Sequence, residues 1–248
     1  MVDIDLEGAP IRRRKLYEEV AARIEAKIRA GGYEAGDSMP AEREIMERFG
    51  VGRSTVREAL LSLEKMGLIA IRSGERARVT TPTPRVLIKE LSGAARFLLA
   101  QKNGVDHFQD ARLLLETGLA RLAALRASPS HLMALERALE ANRRAVGNPE
   151  ESLRTDVAFH YAIAASTGNP IFTSLHDGVV EWLAEQRHIS LQVPAAARDA
   201  YAAHERIYDA IAGRDPIEAQ AAMQDHLDQV ARYYWVARNE GPALVSDE

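Results

Sequence analysis

The chain has 248 residues, 46% hydrophobic and 27% charged, with a net charge of −4. That length can bury one large core or two ordinary ones, and the composition is that of a globular protein rather than a low-complexity or disordered chain. There is no cysteine, which excludes disulfide frameworks, thiolate metal sites and cysteine nucleophiles and leaves His, Asp, Glu or water to hold any metal.

The first residues, MVDIDLEGAPIRRRK, carry acids ahead of a basic cluster and no apolar stretch after it, which is not the pattern of a signal peptide. The run Tyr161 to His176 is uncharged but shorter than the roughly 20 residues a bilayer span needs, and it contains Gly168-Asn169-Pro170. A cytoplasmic protein is expected. Charge is unevenly placed: residues 10 to 80 hold 15 Lys+Arg against 11 Asp+Glu, whereas residues 81 to 248 hold 17 against 22. The two parts differ in sign, so an anionic partner is to be sought near the N-terminus.

From Lys15 to Ala30, Leu16, Val20, Ile24 and Ile28 recur four apart, which predicts a helix with one apolar face, ended by Gly31-Gly32. A second helix is expected from Ala41 to about Phe49, with Pro40 at its start, where a missing amide costs nothing. Gly50-Val51-Gly52 breaks it. The third helix opens at about Ser54, with the side chains of Ser54 and Thr55 as caps, and stops at Gly67. Its buried seam is Val56, Leu60, Leu63 and Met66. Two short β-type runs, LIAIR and RARVT, flank Ser73-Gly74-Glu75 and read as a hairpin. Helix, helix, short turn, helix, hairpin is the order of a winged helix-turn-helix.

The stretch TPTP at 81 to 84 is the best linker, because proline cannot continue a strand ladder and biases its predecessor away from helix. Beyond it, helices are expected over about 85–101, 106–127, 130–146, 150–167, 171–190, 195–213 and 215–238, with no strand. The fold class is therefore mainly α: an N-terminal arm over 1–14, a winged helix-turn-helix over 15–80 with a small hairpin wing, a linker over 81–85, and an all-helical bundle over 86–240.

The third helix places Arg53, Ser54 and Arg57 at its exposed N-terminal end. Arginine can pair bidentately with guanine in a major groove, and a hydroxyl can reach phosphate or base edges. Arg43 on the second helix reaches the same groove or its rim, and the hairpin tip, Ser73 to Arg76, can lie along a minor groove, where Gly74 permits close approach. Any one of these arginines alone would read as a solvated side chain on a helical hairpin; the ordered set of five elements argues otherwise. The basic cluster at 12 to 15 would add phosphate contacts.

In the bundle, the helix over 150–167 turns Leu153, Asp156, His160 and Ile163 to one face. Asp156 and His160 thus sit one turn apart on the buried side. Two later helices each aim one histidine inward, His204 beside Tyr201 and Ile207, and His226 between Met223 and Val230. A lone buried histidine is ordinarily a satisfied core residue. Four such groups are different: a buried carboxylate without a partner is costly, and neutral imidazoles need a proton acceptor or a metal. Asp156, His160, His204 and His226 around one divalent cation satisfy them all, with coordination positions left open for water or ligand. Zinc is the first choice, with manganese or nickel as alternatives. His107, His131, His176 and His188 lack this setting and read as structural or surface residues.

The segments PAERE, VGRSTVREAL and MGLI and the wing GERARV resemble the GntR superfamily of bacterial transcription regulators, and the helical part resembles its FadR subfamily, over about residues 15 to 235. Within that subfamily, GERARV followed by ELSGAARFLL and WLAEQR is most similar to regulators of sialic-acid utilisation. The resemblance implies that Arg43, Arg53, Ser54, Thr55, Arg57 and Gly74 contact operator DNA, with a homodimer placing two such domains on two half-sites. It supports the same four metal ligands. It also implies an effector-facing arginine on the first long helix of the bundle, matched by Arg112 with Glu116 one turn on, although by its own pattern Arg112 faces solvent as readily as a pocket. Arg187 and Asn169 are further pocket candidates. The expected function is a repressor of a sugar-acid operon, with sialic acid the candidate the resemblance implies, modulated by a small carboxylate. The alternatives left open are a metal-dependent hydrolase or oxygenase carrying a DNA-binding domain, and a metal that serves only as a structural staple.

Overall fold

The computed structural model describes residues 15 to 240; the arm expected over 1–14, with all but Lys15 of the basic cluster, lies outside the described residues. The chain divides into two compact units between Val86 and Leu87.

The first unit is built on α1 (Leu16–Arg29), α2 (Glu42–Phe49) and α3 (Arg53–Lys65), followed by β1 (Ile69–Ala70) and β2 (Arg78–Val79). Val20 and Ile24 of α1, Ile45 of α2, and Val56 and Leu63 of α3 meet Ile69 and Val79 of the ribbon in one apolar core. Gly50 ends α2 in the left-handed region at φ 63°, where a side chain would be strained. This glycine lets α3 follow within three residues. In the antiparallel ribbon Ile69 faces Val79 and Ala70 faces Arg78. A bridge from Ser38 to Arg78 adds a third extended segment that periodicity did not reveal.

Three local expectations are corrected here. The N-cap of α3 is Gly52, with no side-chain cap hydrogen bond; Ser54 and Thr55 lie inside the first turn, so their hydroxyls do not cap it. Met66 is 37% exposed and falls outside the seam, because α3 has ended by then. Pro40 precedes the N-cap Ala41 instead of opening α2.

The second unit comprises α4 (Arg85–Leu99, bar its first residues), α5 (Gly104–Arg126), α6 (Pro129–Ala145), α7 (Pro149–Ser166), α8 (Pro170–Trp182), α9 (Ala184–Ser190), α10 (Ala196–Ala212) and α11 (Pro216–Glu240). Four of these helices begin with the same dipeptide logic, an oxygen-bearing cap followed by proline. Ser128, Asn148 and Asn169 accept from backbone amides at the starts of α6, α7 and α8, and Asp215 Oδ1 accepts from Ile217 and Glu218 N at the start of α11. The other end of α5 is closed by a cation: Arg214 donates to the carbonyls of Ala124 and Ala127, which complements the helix dipole.

Leu119, Ala120, Ala123, Leu135, Phe159, Ile163, Ile207, Ile211, Ala219 and Met223 form the main core. The alanines let α5, α7, α10 and α11 approach closely, which draws the polar groups on their inner faces together. The helix expected over 171–190 is broken at Leu183, which is buried and has φ −101° and ψ 19°. No glycine or proline marks the break. On α9, which follows, Arg187 is only 4% exposed. No helix among the described residues is long and apolar enough to cross a membrane.

Candidate nucleic-acid interface and candidate metal centre

At the N-terminal end of α3, the side chains of Arg53 and Arg57 are 68% and 59% exposed. Ser54 is exposed and Thr55 half-buried. A groove of about 710 Å³ is lined by Arg43, Arg53, Arg57, Gly74 and Arg76, so α2, α3 and the wing tip share one concave face. Gly74 has φ +79° with open space where a Cβ would stand. Ser54 and Thr55 do not line this groove. Glu42 does, and the spacing of the sequence did not single it out.

In the second unit, Asp156 and His160 come from α7, His204 from α10 and His226 from α11, all buried, with one donor atom of each within 4.8 Å of the others. His226 Nε2 lies 3.2 Å from His160 Nε2 and 3.3 Å from His204 Nε2. Asp156 Oδ1 lies 3.6 Å from His204 Nε2 and 3.9 Å from His160 Nε2. A tetrahedral N/O set about a divalent ion at 2.0–2.2 Å has edges of roughly 3.4 Å. The donor spacing fits one such ion.

The groups behind these donors fix their direction. Asn142 Oδ1 lies 3.0 Å from His204 Nδ1, and the same amide donates to Thr155 Oγ1 at 3.2 Å. Glu116 Oε2 contacts His160 Nδ1, while its Oε1 accepts from Arg112 Nε at 2.6 Å. With the ring proton of His160 and His204 assigned to Nδ1 by these acceptors, both Nε2 lone pairs point inward at His226. Only one of them can accept from His226 Nε2–H at a time, and a cation between the three rings would take up all three lone pairs. Asp156 has its own support: Arg187 Nε is 3.1 Å from Oδ2, leaving Oδ1 toward the imidazoles. Each anion is therefore backed by an arginine.

Electrostatics keeps the anions charged and the imidazoles of His204 and His226 neutral. Burial opposes ionisation of Glu116, but Arg112 and then His160 hold its carboxyl well below the usual range. Burial likewise opposes the charge on Asp156, and His160 and Arg187 outweigh it. Burial pushes His204 down to about 3 and His226 well below its ordinary value. Neutral imidazole and ionised carboxylate are the states a metal requires.

A cavity of about 20 Å³ adjoins the cluster, lined by Arg112, Asp156, Arg187, His226, Gln229 and Tyr233 among others. Arg187 Nη2 and His226 Nδ1 are buried with no hydrogen-bond partner among the described residues. Arg112 and Arg187 thus both face the cavity. Glu116 and Asn169 do not line it: Glu116 stands behind His160, and Asn169 is taken up as the cap of α8, its Oδ1 accepting from Ile171 N at 3.0 Å. His176, read from sequence as an ordinary structural or surface residue, is buried with its ring stacked on His160 at a centroid distance of 6.5 Å, and neither of its nitrogens has a hydrogen-bond partner among the described residues. His107 and His188 are exposed, and His131 helps to cap α6. Asn142 was missed because its position on α6 carries no signal until α10 is packed against it.

Comparison with known proteins agrees with both units. Residues 16–79 match the family described as bacterial regulatory proteins, gntR family, and residues 108–229 match the FCD domain. The chain is similar to the HTH-type transcriptional repressor NanR of Cronobacter sakazakii, with 40% identity over 89% of this chain and 86% of the relative. With the protein of the same name from Escherichia coli (strain K12) it shares 39% identity over 92% and 87%. Among solved structures, Streptococcus agalactiae GntR aligns with a TM-score of 0.63 and 29% identity, covering 87% of this chain and 99% of that one. E. coli McbR/YncC shares the fold, with a TM-score of 0.52 and 18% identity over 92% and 100%. These relatives are transcription regulators rather than enzymes, which removes the hydrolase or oxygenase reading. The chain belongs to the GntR family of bacterial transcription regulators, with a DNA-binding winged helix-turn-helix followed by a helical FCD domain.

Proposed function

We propose that this regulator is a repressor of a sugar-acid catabolic operon, with sialic acid the first candidate, and that a small carboxylate bound at a divalent metal in the helical unit modulates its hold on operator DNA. Arg43, Arg53, Ser54, Thr55, Arg57 and Gly74 form the DNA-reading surface, and a homodimer sets two such surfaces on two half-sites. Zinc is the metal that best suits Asp156, His160, His204 and His226, with manganese or nickel as alternatives. Such an ion supplies Lewis-acidic positions for a carboxylate.

One observation carries this reading: three imidazole nitrogens and a carboxylate oxygen converge beside two buried arginines. Asp156 and Glu116 are balanced by Arg187 and Arg112, so the charge of a divalent ion is left for a ligand to neutralise. Arg187 Nη2, without a hydrogen-bond partner among the described residues, suits the second oxygen of a carboxylate. Sialic acid enters by the resemblance to the NanR repressors. The cavity of about 20 Å³ has room for about one water, so a sugar acid enters only if side chains such as Gln229 and Tyr233 of α11 move. That movement is the means by which ligand and DNA affinities become coupled, and the coupling is reciprocal.

Calorimetric titration of the zinc-loaded protein with a panel of sugar acids led by N-acetylneuraminate, with His204→Ala alongside, tests this reading. Saturable binding of one acid, lost in the variant, is expected. Binding of no acid would reduce the metal to a structural staple.

A further inference from the structure

Glu42 occupies the first helical position of α2 and lines the groove that holds the DNA-reading arginines. Its carboxylate reaches across to α3. Oε2 accepts from Arg53 Nε at 3.1 Å, and Oε1 and Oε2 each lie 3.2 Å from Arg57 Nε. One anion thus engages the same edge of two guanidinium groups. The arginines also hold Glu42 ionised, the hydrogen bond from Arg53 lowering its pKa first of all, and the amides at the start of α2 favour a negative charge there.

A carboxylate on a face that approaches phosphates opposes binding to any DNA. A solvent-exposed ion pair adds little stability in return. What the arrangement supplies is direction. A guanidinium whose Nε edge is occupied can present only its two terminal Nη groups, and that end forms the parallel pair of hydrogen bonds to guanine O6 and N7. Arg53 and Arg57 stand one helical turn apart on α3, so the clasp aims two such ends from one helix face.

We propose that Glu42 is a specificity-determining positioning residue: it clasps the Nε edges of Arg53 and Arg57 so that each reads a guanine end-on, and its charge weakens attachment to DNA that lacks those guanines. This rests on the reading of α3 as the recognition helix. Glu42 contacts no base. It acts through the two arginines.

The test uses the full-length protein and fluorescence anisotropy on two duplexes, one selected by the protein itself from a random-sequence library and one of the same composition with the order scrambled. Glu42→Gln keeps the size of the side chain and removes the charge, and Glu42→Ala removes the clasp. Both variants should lose about tenfold in the ratio of scrambled to selected Kd, since each bidentate guanine contact discriminates by roughly that factor or more. Affinity for the scrambled duplex should hold or tighten, with a steeper salt dependence from the freed cations. Replacing single guanines of the selected duplex by 7-deazaguanine should weaken the parent at two positions in each half-site and the variants less. A Glu42 that merely holds α2 against α3 would lower both affinities in proportion, and an unchanged ratio in folded protein, checked by thermal unfolding, overturns the inference. Arg53→Ala separates the two levels: if it binds the selected duplex as tightly as the parent, the recognition helix itself is misassigned.

Discussion

Glu116 and Arg112 are 2% and 6% exposed and joined at 2.6 Å, so removing either leaves the other as a buried charge with its main partner gone. Breaking a buried pair from one side costs about 3–5 kcal/mol, whereas replacing both partners by apolar groups of similar size is often nearly neutral. Against a total stability of about 5–15 kcal/mol, the single loss is large. Glu116→Leu and Arg112→Met should each lower the stability of the metal-free protein by about 3–5 kcal/mol, and the double variant should lie within about 2 kcal/mol of the parent. Urea unfolding followed by tryptophan fluorescence reads the right unit, because both tryptophans, Trp182 and Trp235, belong to the helical one. Zinc affinity should behave differently. Glu116 contacts His160 Nδ1, and loss of such a partner behind a ligand costs about 10–100-fold in affinity, so the double variant should regain stability without regaining zinc. A double variant as unstable as the singles would refute the charge-compensation argument, and parental zinc affinity in that variant would refute the role assigned to Glu116 behind His160.

Asn142→Ala should leave the Nδ1–H of His204 without its acceptor, at a cost of about 1–3 kcal/mol in the metal-free protein. It should also weaken zinc about 10–100-fold, measured by competition with a chromophoric chelator; unchanged affinity would show that Asn142 does not orient the ring. His176 supplies a pH test. Burial holds it down to about 4, so the unfolded chain takes up its proton near the ordinary value of about 6.5 while the folded chain does not. Stability is therefore present above about pH 6.5 and lost as pH falls toward 4, by about 2–3 kcal/mol at pH 4.5. His176→Leu in the metal-free protein should lose that much less than the parent between pH 7 and 4.5 in urea titrations, and equal losses would contradict the assignment.

The parts of the fold that the sequence makes legible are those written in local chemistry. The four-residue spacing of Leu16, Val20, Ile24 and Ile28, and the cap-then-proline pairs at Asn148-Pro149 and Asn169-Pro170, mark helices without reference to anything distant. Asp156 and His160 are legible as an inward pair for the same reason, since they share one face of α7. What escapes is set by packing between helices. The break at Leu183 has no glycine or proline to announce it. Glu116, one turn from Arg112, looked like a pocket residue; its contact with His160 depends on how α5 meets α7. Asn142 and Glu42 act across helix pairs, on His204 and on two arginines respectively, and such contacts leave no trace in periodicity. His176 looked ordinary because nothing in its own helix announces the ring of His160 beside it.

The most direct measurement is the affinity of the zinc-loaded protein for its selected duplex with increasing N-acetylneuraminate and related sugar acids, set beside His204→Ala. The account predicts that one acid shifts the Kd of the parent several-fold or more and leaves that of the variant unchanged, while the two proteins bind the duplex alike without it. A parent Kd that no acid moves, or an equal shift in the variant, would contradict the account: the metal site would not be the seat of regulation.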